Sequence, residues 1–171
     1  MKAIECINIS KSFYKNKVLE NISLTVQENA AFQIKGENGS GKTTLLKILA
    51  GVDPDFTGEV LFYGKDIQNF DKEYLKNVVM LTSLPRFYND LTVLENISFY
   101  CSIYSIPSFE IAQNDIINSF GIEKILNNRI DELSDGFKKK VSLSLGFIIK
   151  PKILVIDEPY NFIDKNIKKV F

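Results

Sequence analysis

The first third of the chain alternates apolar and polar residues, as β-strands with one buried face do. Residues 22–26 read I-S-L-T-V, and residues 3–9 place isoleucines at positions 4, 7 and 9. Such alternation has the two-residue period of a strand. We predict strands at residues 3–9, 22–26, 30–35 and 60–62, and a short helix at residues 43–50 that Gly51 ends.

The rest of the chain changes to helices and then returns to a strand of buried character. Thr92 precedes Glu95 by the spacing of a capping box, which marks a helix start. Strands that alternate with helices around a glycine loop indicate an α/β fold. We predict strands at residues 78–81 and 153–156, helices at residues 94–105 and 109–120, a helix from Ser134 or Asp135 to Ile149 that Pro151 ends, and a helix that starts near Asp164.

The composition is that of one globular domain. The chain has 171 residues, of which 45% are hydrophobic and 25% charged, and this balance argues against disorder. Its 21 positive and 21 negative charges cancel, which disfavours nucleic acid as the main partner because such proteins are normally basic. The sequence contains no histidine, so histidine acid–base catalysis and histidine metal sites are excluded.

Neither the cysteines nor the apolar segments indicate a secreted or membrane-spanning protein. Cys6 and Cys101 form no C-x-x-C motif and are typical of reduced, cytosolic thiols. The N-terminus has no apolar signal segment. The longest weakly polar stretches, residues 97–109 and 141–149, are shorter than the ~20 apolar residues of a spanning helix. We therefore expect a chain that does not cross a membrane by itself.

A glycine loop gives the strongest chemical signal. Residues 36–43 read G-E-N-G-S-G-K-T and fit the pattern G-x-x-x-x-G-K-[ST] between a predicted strand and a predicted helix. Glycines let successive backbone N–H groups turn toward an anion, and the helix N-terminus adds its dipole. Lys42 would reach the β- and γ-phosphates of a nucleotide, and the Thr43 hydroxyl would coordinate Mg²⁺. A glycine–serine turn before a lysine is the purely structural alternative.

Two carboxylates follow the last predicted strand. Residues 153–159 read I-L-V-I-D-E-P, and ligands of such sheets bind at the carboxyl ends of the strands. Asp157 would hold Mg²⁺ through its water shell, and Glu158 would polarise a water that attacks the γ-phosphate. Two solvated acids at a strand end are the alternative.

A third segment, L-S-D-G-F at residues 133–137, directly precedes a lysine-rich predicted helix. Serine or aspartate at this place is by itself a common N-cap. The order G-E-N-G-S-G-K-T-T, L-S-D-G-F, I-L-V-I-D-E-P, at these separations, resembles the ATP-binding-cassette (ABC) ATPase domain over essentially the whole chain.

The resemblance implies an α/β P-loop NTPase core with an N-terminal antiparallel β subdomain, at residues 1–82 and 151–171, and a helical signature subdomain at residues 83–150. It further implies that the fold is C-terminally truncated, because the family has another strand and further helices after this point. Asp164 matches the aspartate of the family's D-loop.

The resemblance also assigns residues to a site for ATP and Mg²⁺. Two subunits would pair head to tail, and Ser134 and the Gly136 amide would contact the γ-phosphate held by the partner. Phe13 stands where the family has an aromatic that stacks on adenine, with a core aromatic as the alternative. The expected ATP-binding residues are Phe13, Gly36, Glu37, Asn38, Gly39, Ser40, Gly41, Lys42, Thr43, Thr44, Ser134 and Gly136; Thr43 and Asp157 are expected to bind Mg²⁺, and Glu158 to be catalytic.

The sequence departs from the family at several positions. Ser83 occupies the place of the family's Q-loop glutamine, and the family's switch histidine is missing. In L-S-D-G-F, Asp135 replaces a glycine and Phe137 a glutamine. Tyr160 and Phe162 replace small residues of the D-loop. These departures bring hydrolysis, rather than ATP binding, into question.

The leading interpretation is an ATP-binding and ATP-hydrolysing subunit of an ABC membrane transporter. It would be cytoplasmic, paired with itself or another ABC subunit, and held at the inner face of the membrane by a membrane-spanning permease. Phe99, Tyr100 and Tyr104 stand where the family docks that partner, although helix-core packing would also explain them. The alternatives are an ATP-binding module without useful turnover and an incomplete fragment. A different P-loop enzyme, such as a small-molecule kinase, would have no reason to carry the L-S-x-G segment.

Overall fold

The computed structural model describes residues 1–67, 72–82, 85–107, 111 and 114–158. It divides into two compact units, Met1–Val78 and the residues from Val79 onward. Ser83, Tyr160, Phe162 and the helix predicted near Asp164 lie outside the described residues.

The first unit is built on an antiparallel sheet of four strands in the order β2-β1-β3-β4. Two helices accompany the sheet, and the first of them is the helix predicted after the glycine loop. The elements are β1 (Lys2–Phe13), β2 (Asn16–Gln27), α1 (Lys42–Leu49), β3 (Thr57–Phe62), β4 (Lys65–Asp66) and α2 (Lys72–Asn77).

Strand β1 lies at the centre of this sheet and carries much of its buried face. Cys6 pairs with Leu24 of β2 on one side and with Val60 of β3 on the other. The β1–β2 register shifts between Cys6 and Ile9, where Asn8 has a φ of 52°. Such a bulge brings Ile9, three residues after Cys6, into the core as well.

The strand predicted at residues 30–35 is wrong. Residues 30–36 have no regular secondary structure, and Phe32 is 52% exposed. A strand forms only where a neighbouring strand accepts its backbone hydrogen bonds, and no described strand pairs with this segment. The apolar and polar alternation in A-A-F-Q-I-K therefore does not correspond to a buried face here.

The second unit combines helices with a short two-stranded sheet of β5 and β6. Both strands have the predicted bounds. The single helix predicted at residues 109–120 is interrupted at Asn114, whose backbone is extended: Ile111 is helical, and a separate five-residue helix begins after Asn114, which caps it. The elements are β5 (Val78–Leu81), α3 (Val93–Ile103), α4 (Asp115–Ser119), 3₁₀ turns at Glu123–Ile125 and Ile130–Glu132, α5 (Asp135–Ile149) and β6 (Ile153–Ile156).

A continuous apolar core holds the second unit together. Val93, Ile97 and Cys101 repeat every four residues along α3 and are fully buried, as the buried face of a helix requires. In α5, a Cβ on Gly146 would lie 2.9 Å from a methyl group of Leu81 and 3.1 Å from one of Leu154. Gly146 therefore lets the helix approach both strands more closely than any other residue would.

The helix starts follow the predicted capping chemistry. Thr92 and Glu95 form the complete capping box at the start of α3, which confirms the prediction. Of the two candidates at the start of α5, Ser134 is the N-cap and Asp135 the first helical residue. None of the described helices has both the length and the apolar character of a membrane span.

Both cysteines are free and buried. Burial raises the pKa of Cys6 to about 12 and that of Cys101 to about 11. Each therefore stays a neutral thiol near pH 7, because desolvation disfavours the thiolate.

Candidate functional site

The loop at residues 36–41 has a backbone that glycine alone adopts easily. Gly39 and Gly41 have φ values of 83° and 88°, in the left-handed region. A Cβ on Gly36 would lie 2.6 Å from the Ser40 Oγ. The Ser40 N–H donates to the Glu37 carbonyl over 3.2 Å and closes a turn around Asn38 and Gly39. The loop is thus a tight turn in which Gly36 leaves room for the Ser40 hydroxyl, and Gly39 and Gly41 adopt backbone angles that disfavour a side chain.

Gly41 also fixes the position of the loop within the first unit. A Cβ at this residue would lie 2.8 Å from the Val18 carbonyl oxygen and 2.9 Å from the Leu19 side chain. The end of the loop therefore lies directly against the start of β2, and a larger residue would push the two apart.

Lys42 folds back over the loop that precedes it. Its ammonium group donates to the carbonyl oxygens of Gly36, at 2.8 Å, and Glu37, at 2.6 Å. The positive charge is thus held at the mouth of the loop by neutral acceptors rather than by a carboxylate. A phosphate oxygen can displace these carbonyls, because its negative charge attracts the ammonium group more strongly than a neutral acceptor does.

The start of α1 completes the site. Gly41 is its N-cap and contributes no side-chain cap, and no acidic residue lies in the first turn of this fully described helix. Thr43 and Thr44 are its second and third residues. The first N–H groups of a helix have no acceptor within the helix, and the dipole there favours negative charge. Together with Lys42, this end of α1 fits a phosphate group.

Phe13 lies at the end of β1 and is 46% exposed, so the alternative of a core aromatic is wrong. It pairs with Asn16 of β2, two residues before Val18, against which Gly41 lies. The structure thus places the Phe13 strand end and the glycine loop at the same end of the β1–β2 hairpin. Base–aromatic stacking needs an accessible ring of this kind.

A lysine outside the sequence motifs contacts this ring. The Lys11 Nζ lies 5.1 Å from the centroid of Phe13, and it donates to Asp53 over 2.9 Å and to Asp55 over 3.0 Å. Burial lowers the pKa of Lys11, but the hydrogen bonds and charges of the two aspartates outweigh it and raise the pKa above its usual value. Lys11 is therefore a buried, permanently charged group next to a candidate site residue.

The carboxylate pair lies where β6 ends in the second unit. The Asp157 N–H donates to the Leu81 carbonyl over 2.9 Å, so Asp157 is held against the end of β5. Its side chain is partly buried, whereas Glu158 is exposed. Glu158 has a φ of 53°, a left-handed conformation that costs energy in a residue with a Cβ and is concentrated at functional sites.

Ser134 and Gly136 lie at the start of α5. The Ser134 Oγ accepts a hydrogen bond from the Phe137 N–H over 3.4 Å, so the everyday N-cap is present. The nearest atom to a Cβ on Gly136 would be the Ser134 Oγ, at 3.9 Å, which leaves the Gly136 backbone open to an approaching group. The same helix start can therefore serve both as a cap and as an anion contact.

The predicted site residues fall into two groups. Phe13 and residues 36–44 lie in the first unit, and Ser134, Gly136, Asp157 and Glu158 lie in the second. Within the described residues, no three acidic or cysteine side chains cluster as a metal site. A Mg²⁺ site at Thr43 and Asp157 stays a prediction, and Ser83 lies outside the described residues.

Solved structures share the fold. An "ATP binding subunit of ABC transporter" superposes with a TM-score of 0.87 and 23% identity, over 98% of this chain and 70% of that one. The CbiO1 protein of Clostridium perfringens superposes with a TM-score of 0.78 and 22% identity, over 99% of this chain and 70% of that one. These likenesses confirm the predicted α/β fold with its N-terminal antiparallel sheet.

Sequence similarity identifies the family as well as the fold. The pattern of the family described as "ABC transporter" matches residues 19–161. The chain is 32% identical over 178 residues to the lipoprotein-releasing system ATP-binding protein LolD of Buchnera aphidicola, which covers 98% of this chain and 78% of that protein. It is 30% identical over 175 residues to the sulfate/thiosulfate import ATP-binding protein CysA of Pseudomonas syringae, and there it spans only 53% of the relative's length. The chain belongs to the ABC transporter family.

Proposed function

We propose that the chain is the ATP-binding subunit of a membrane transporter and that it binds Mg·ATP at the glycine loop. The observation that carries the proposal is the Lys42 ammonium, held over the loop by two neutral carbonyls at an uncapped helix start. Relatives named as ATP-binding proteins of lipoprotein release and sulfate import support it.

Binding would exchange one set of hydrogen bonds for another. The phosphate oxygens would take the place of the Gly36 and Glu37 carbonyls as acceptors for Lys42. The backbone of residues 39–43 would surround the phosphates, which explains why Gly39 and Gly41 must be glycine. Phe13 would offer its exposed ring to the adenine.

The chemistry of hydrolysis would use the second group of residues. The Thr43 hydroxyl and Asp157 would hold Mg²⁺, which would supply positive charge next to the phosphate oxygens. Glu158 would orient the attacking water and take up its proton, a role that suits an exposed carboxylate directly after a strand end. In a head-to-tail dimer, Ser134 and the Gly136 amide would bind the γ-phosphate of the partner's nucleotide.

An exposed aromatic patch supports a permease partner at the inner face of the membrane. Tyr88 and Phe99 are 51% and 41% exposed, their rings meet edge to face at 4.8 Å, and Ile103 is 56% exposed. Tyr100 and Tyr104, by contrast, pack on the core of the second unit. We therefore assign the permease contact to Tyr88 and Phe99, because accessible aromatic and aliphatic clusters mark protein interfaces.

A titration with Mg·ATP tests the binding step. We expect saturable binding that Lys42→Ala weakens by about 100-fold, since a charge-assisted contact to phosphate is lost. Lys47→Ala is the matched control, because Lys47 is an exposed lysine in the last turn of the same helix. A Lys42→Ala variant that binds as tightly as Lys47→Ala, or a wild-type chain that binds no Mg·ATP, would contradict the proposal.

A second candidate function, ATP binding without turnover, is favoured by Ser83 at the place of the family's Q-loop glutamine. Phosphate release from Mg·ATP distinguishes the two. In a hydrolysing subunit, Glu158→Gln abolishes release, while Glu123→Gln, which changes an exposed glutamate in a 3₁₀ turn, leaves it intact. Release at the level of the Glu158→Gln blank, with Mg·ATP binding preserved, would select the binding module.

A further inference from the structure

The proposed function leaves one buried charge without a role. The Lys11 side chain is 4% exposed, although lysine is almost never fully buried unless it is paired. Its ammonium group donates to the Asp53 carboxylate, to the Asp55 carboxylate and to the Asp55 backbone carbonyl. These three acceptors match the three protons of an ammonium group. Lys11 is thus fixed in one orientation.

The aspartates connect Lys11 to the helix of the glycine loop. The N–H groups of Val52 and Asp53 donate to the carbonyl oxygen of Lys47, in the last turn of α1, over 2.8 and 3.2 Å. The Asp53 carboxylate also accepts from the Asp55 N–H over 3.2 Å. A chain of hydrogen bonds therefore runs from α1 through Asp53 to the Lys11 ammonium group.

The other neighbour of the ammonium group is the ring of Phe13. The 5.1 Å separation is within the range in which a cation is attracted to an aromatic face. Phe13 keeps 46% of its surface exposed, so the lysine does not cover the ring. The lysine thus contacts the ring and leaves it accessible for stacking on a purine.

We propose that Lys11 is a positioning residue for the nucleotide base: it holds the Phe13 ring in place and, through Asp53, ties the ring to the helix that carries the phosphate loop. The residues that bind the base and those that bind the phosphates are then linked by hydrogen bonds. This inference rests on the proposed binding of ATP and adds to it the residue that sets the base contact.

Two ligands separate this role from a general effect on the fold. ATP uses both the base contact and the phosphate loop, whereas inorganic tripolyphosphate uses the loop alone. Dissociation constants for both, with Mg²⁺ present, are measured by calorimetry for the wild type, Lys11→Met, Lys11→Arg and Asp53→Asn. Lys17→Met is the matched control, because Lys17 is an exposed lysine of the same hairpin whose partner is Glu20.

We expect Lys11→Met to raise the dissociation constant of ATP about five- to tenfold, the range of a cation–π contact and its stacking partner. The constant for tripolyphosphate changes by less than about twofold. Lys11→Arg keeps the charge and restores most of the ATP affinity. In a Phe13→Leu background, Lys11→Met has no further effect on ATP, because the ring that it positions is gone.

Each other outcome overturns the inference. If Lys11→Met loses affinity for ATP and for tripolyphosphate equally, Lys11 only stabilises the fold. If the ATP affinity of Lys11→Met is unchanged, Lys11 has no role in binding the base. If Lys11→Met does not fold, Asp53→Asn decides, since it keeps Lys11 and loosens its tie to α1: ATP affinity that stays at the wild-type value overturns the inference. If the wild type binds ATP no better than tripolyphosphate, the base contact is refuted, but phosphate binding by the loop still stands. If it binds neither ligand, the proposed function is refuted as well.

Discussion

Asn96 is a buried polar side chain of the second unit with several hydrogen bonds. It is fully buried in α3 and connects the helix to the segment before it. Its Oδ1 accepts from the Tyr88 N–H over 2.8 Å, and its Nδ2 donates to the carbonyls of Tyr88, Leu91 and Thr92 over 3.0, 3.3 and 2.9 Å. Asn96→Ala would remove all of these bonds and thereby release Tyr88, part of the proposed permease contact.

The expected cost follows from these bonds. The amide has two protons to donate and here accepts one, which makes three effective hydrogen bonds of about 1 kcal/mol each. We expect Asn96→Ala to lower the free energy of unfolding by about 3 kcal/mol. Asn96→Asp keeps the size, but it should cost at least as much, because an oxygen would face the carbonyls in place of the NH₂ group.

Urea denaturation followed by circular dichroism measures the effect. Asn118→Ala is the control, because Asn118 is an exposed asparagine of α4 and should change stability by no more than about 0.5 kcal/mol. If Asn96→Ala and Asn118→Ala unfold at the same urea concentration, the buried bonds contribute nothing net and the reasoning is refuted. If Asn96→Ala is destabilised but Asn96→Asp is not, the loss comes from a cavity rather than from hydrogen bonding.

Three further predictions follow from backbone and charge. Gly41→Ala should abolish ATP binding in a titration, because φ is 88° and the Cβ would lie 2.8 Å from the Val18 carbonyl. Hydrogen bonds from the Thr92 backbone N–H and hydroxyl lower the pKa of the Glu95 carboxyl below 4.5. These bonds stabilise the fold above pH 4.5, and their contribution is lost as the pH falls through the lowered pKa. The difference in melting temperature between wild type and Glu95→Gln should therefore shrink in acid. Lys150→Gly should raise stability in urea by about 0.5–1 kcal/mol, because Lys150 ends α5 at a φ of 52°.

Local signals in the sequence were enough wherever an element is fixed by its own residues. The capping box at Thr92 and the aliphatic run of β6 predicted their elements closely, since a cap depends on neighbours in the chain and consecutive aliphatic residues are typical of a strand buried on both faces. The strand predicted at residues 30–35 failed because pairing depends on a distant strand that alternation cannot reveal. For the same reason, the sequence did not predict that β1 continues to Phe13, where the polar residues S-K-S interrupt its apolar pattern.

The candidate site divides along the same line. The glycine loop, the carboxylate pair and the L-S-D-G-F segment each consist of consecutive residues, so the sequence alone reveals them. Lys11 belongs to no motif: its partners Asp53 and Asp55 follow more than forty positions later along the chain, and among the chain's many lysines nothing local marks it as buried. Its role depends on the hairpin bringing Phe13 beside the loop that follows α1. The residue that we propose to position the base contact is therefore one that only the tertiary structure could identify, and one whose removal leaves every motif intact.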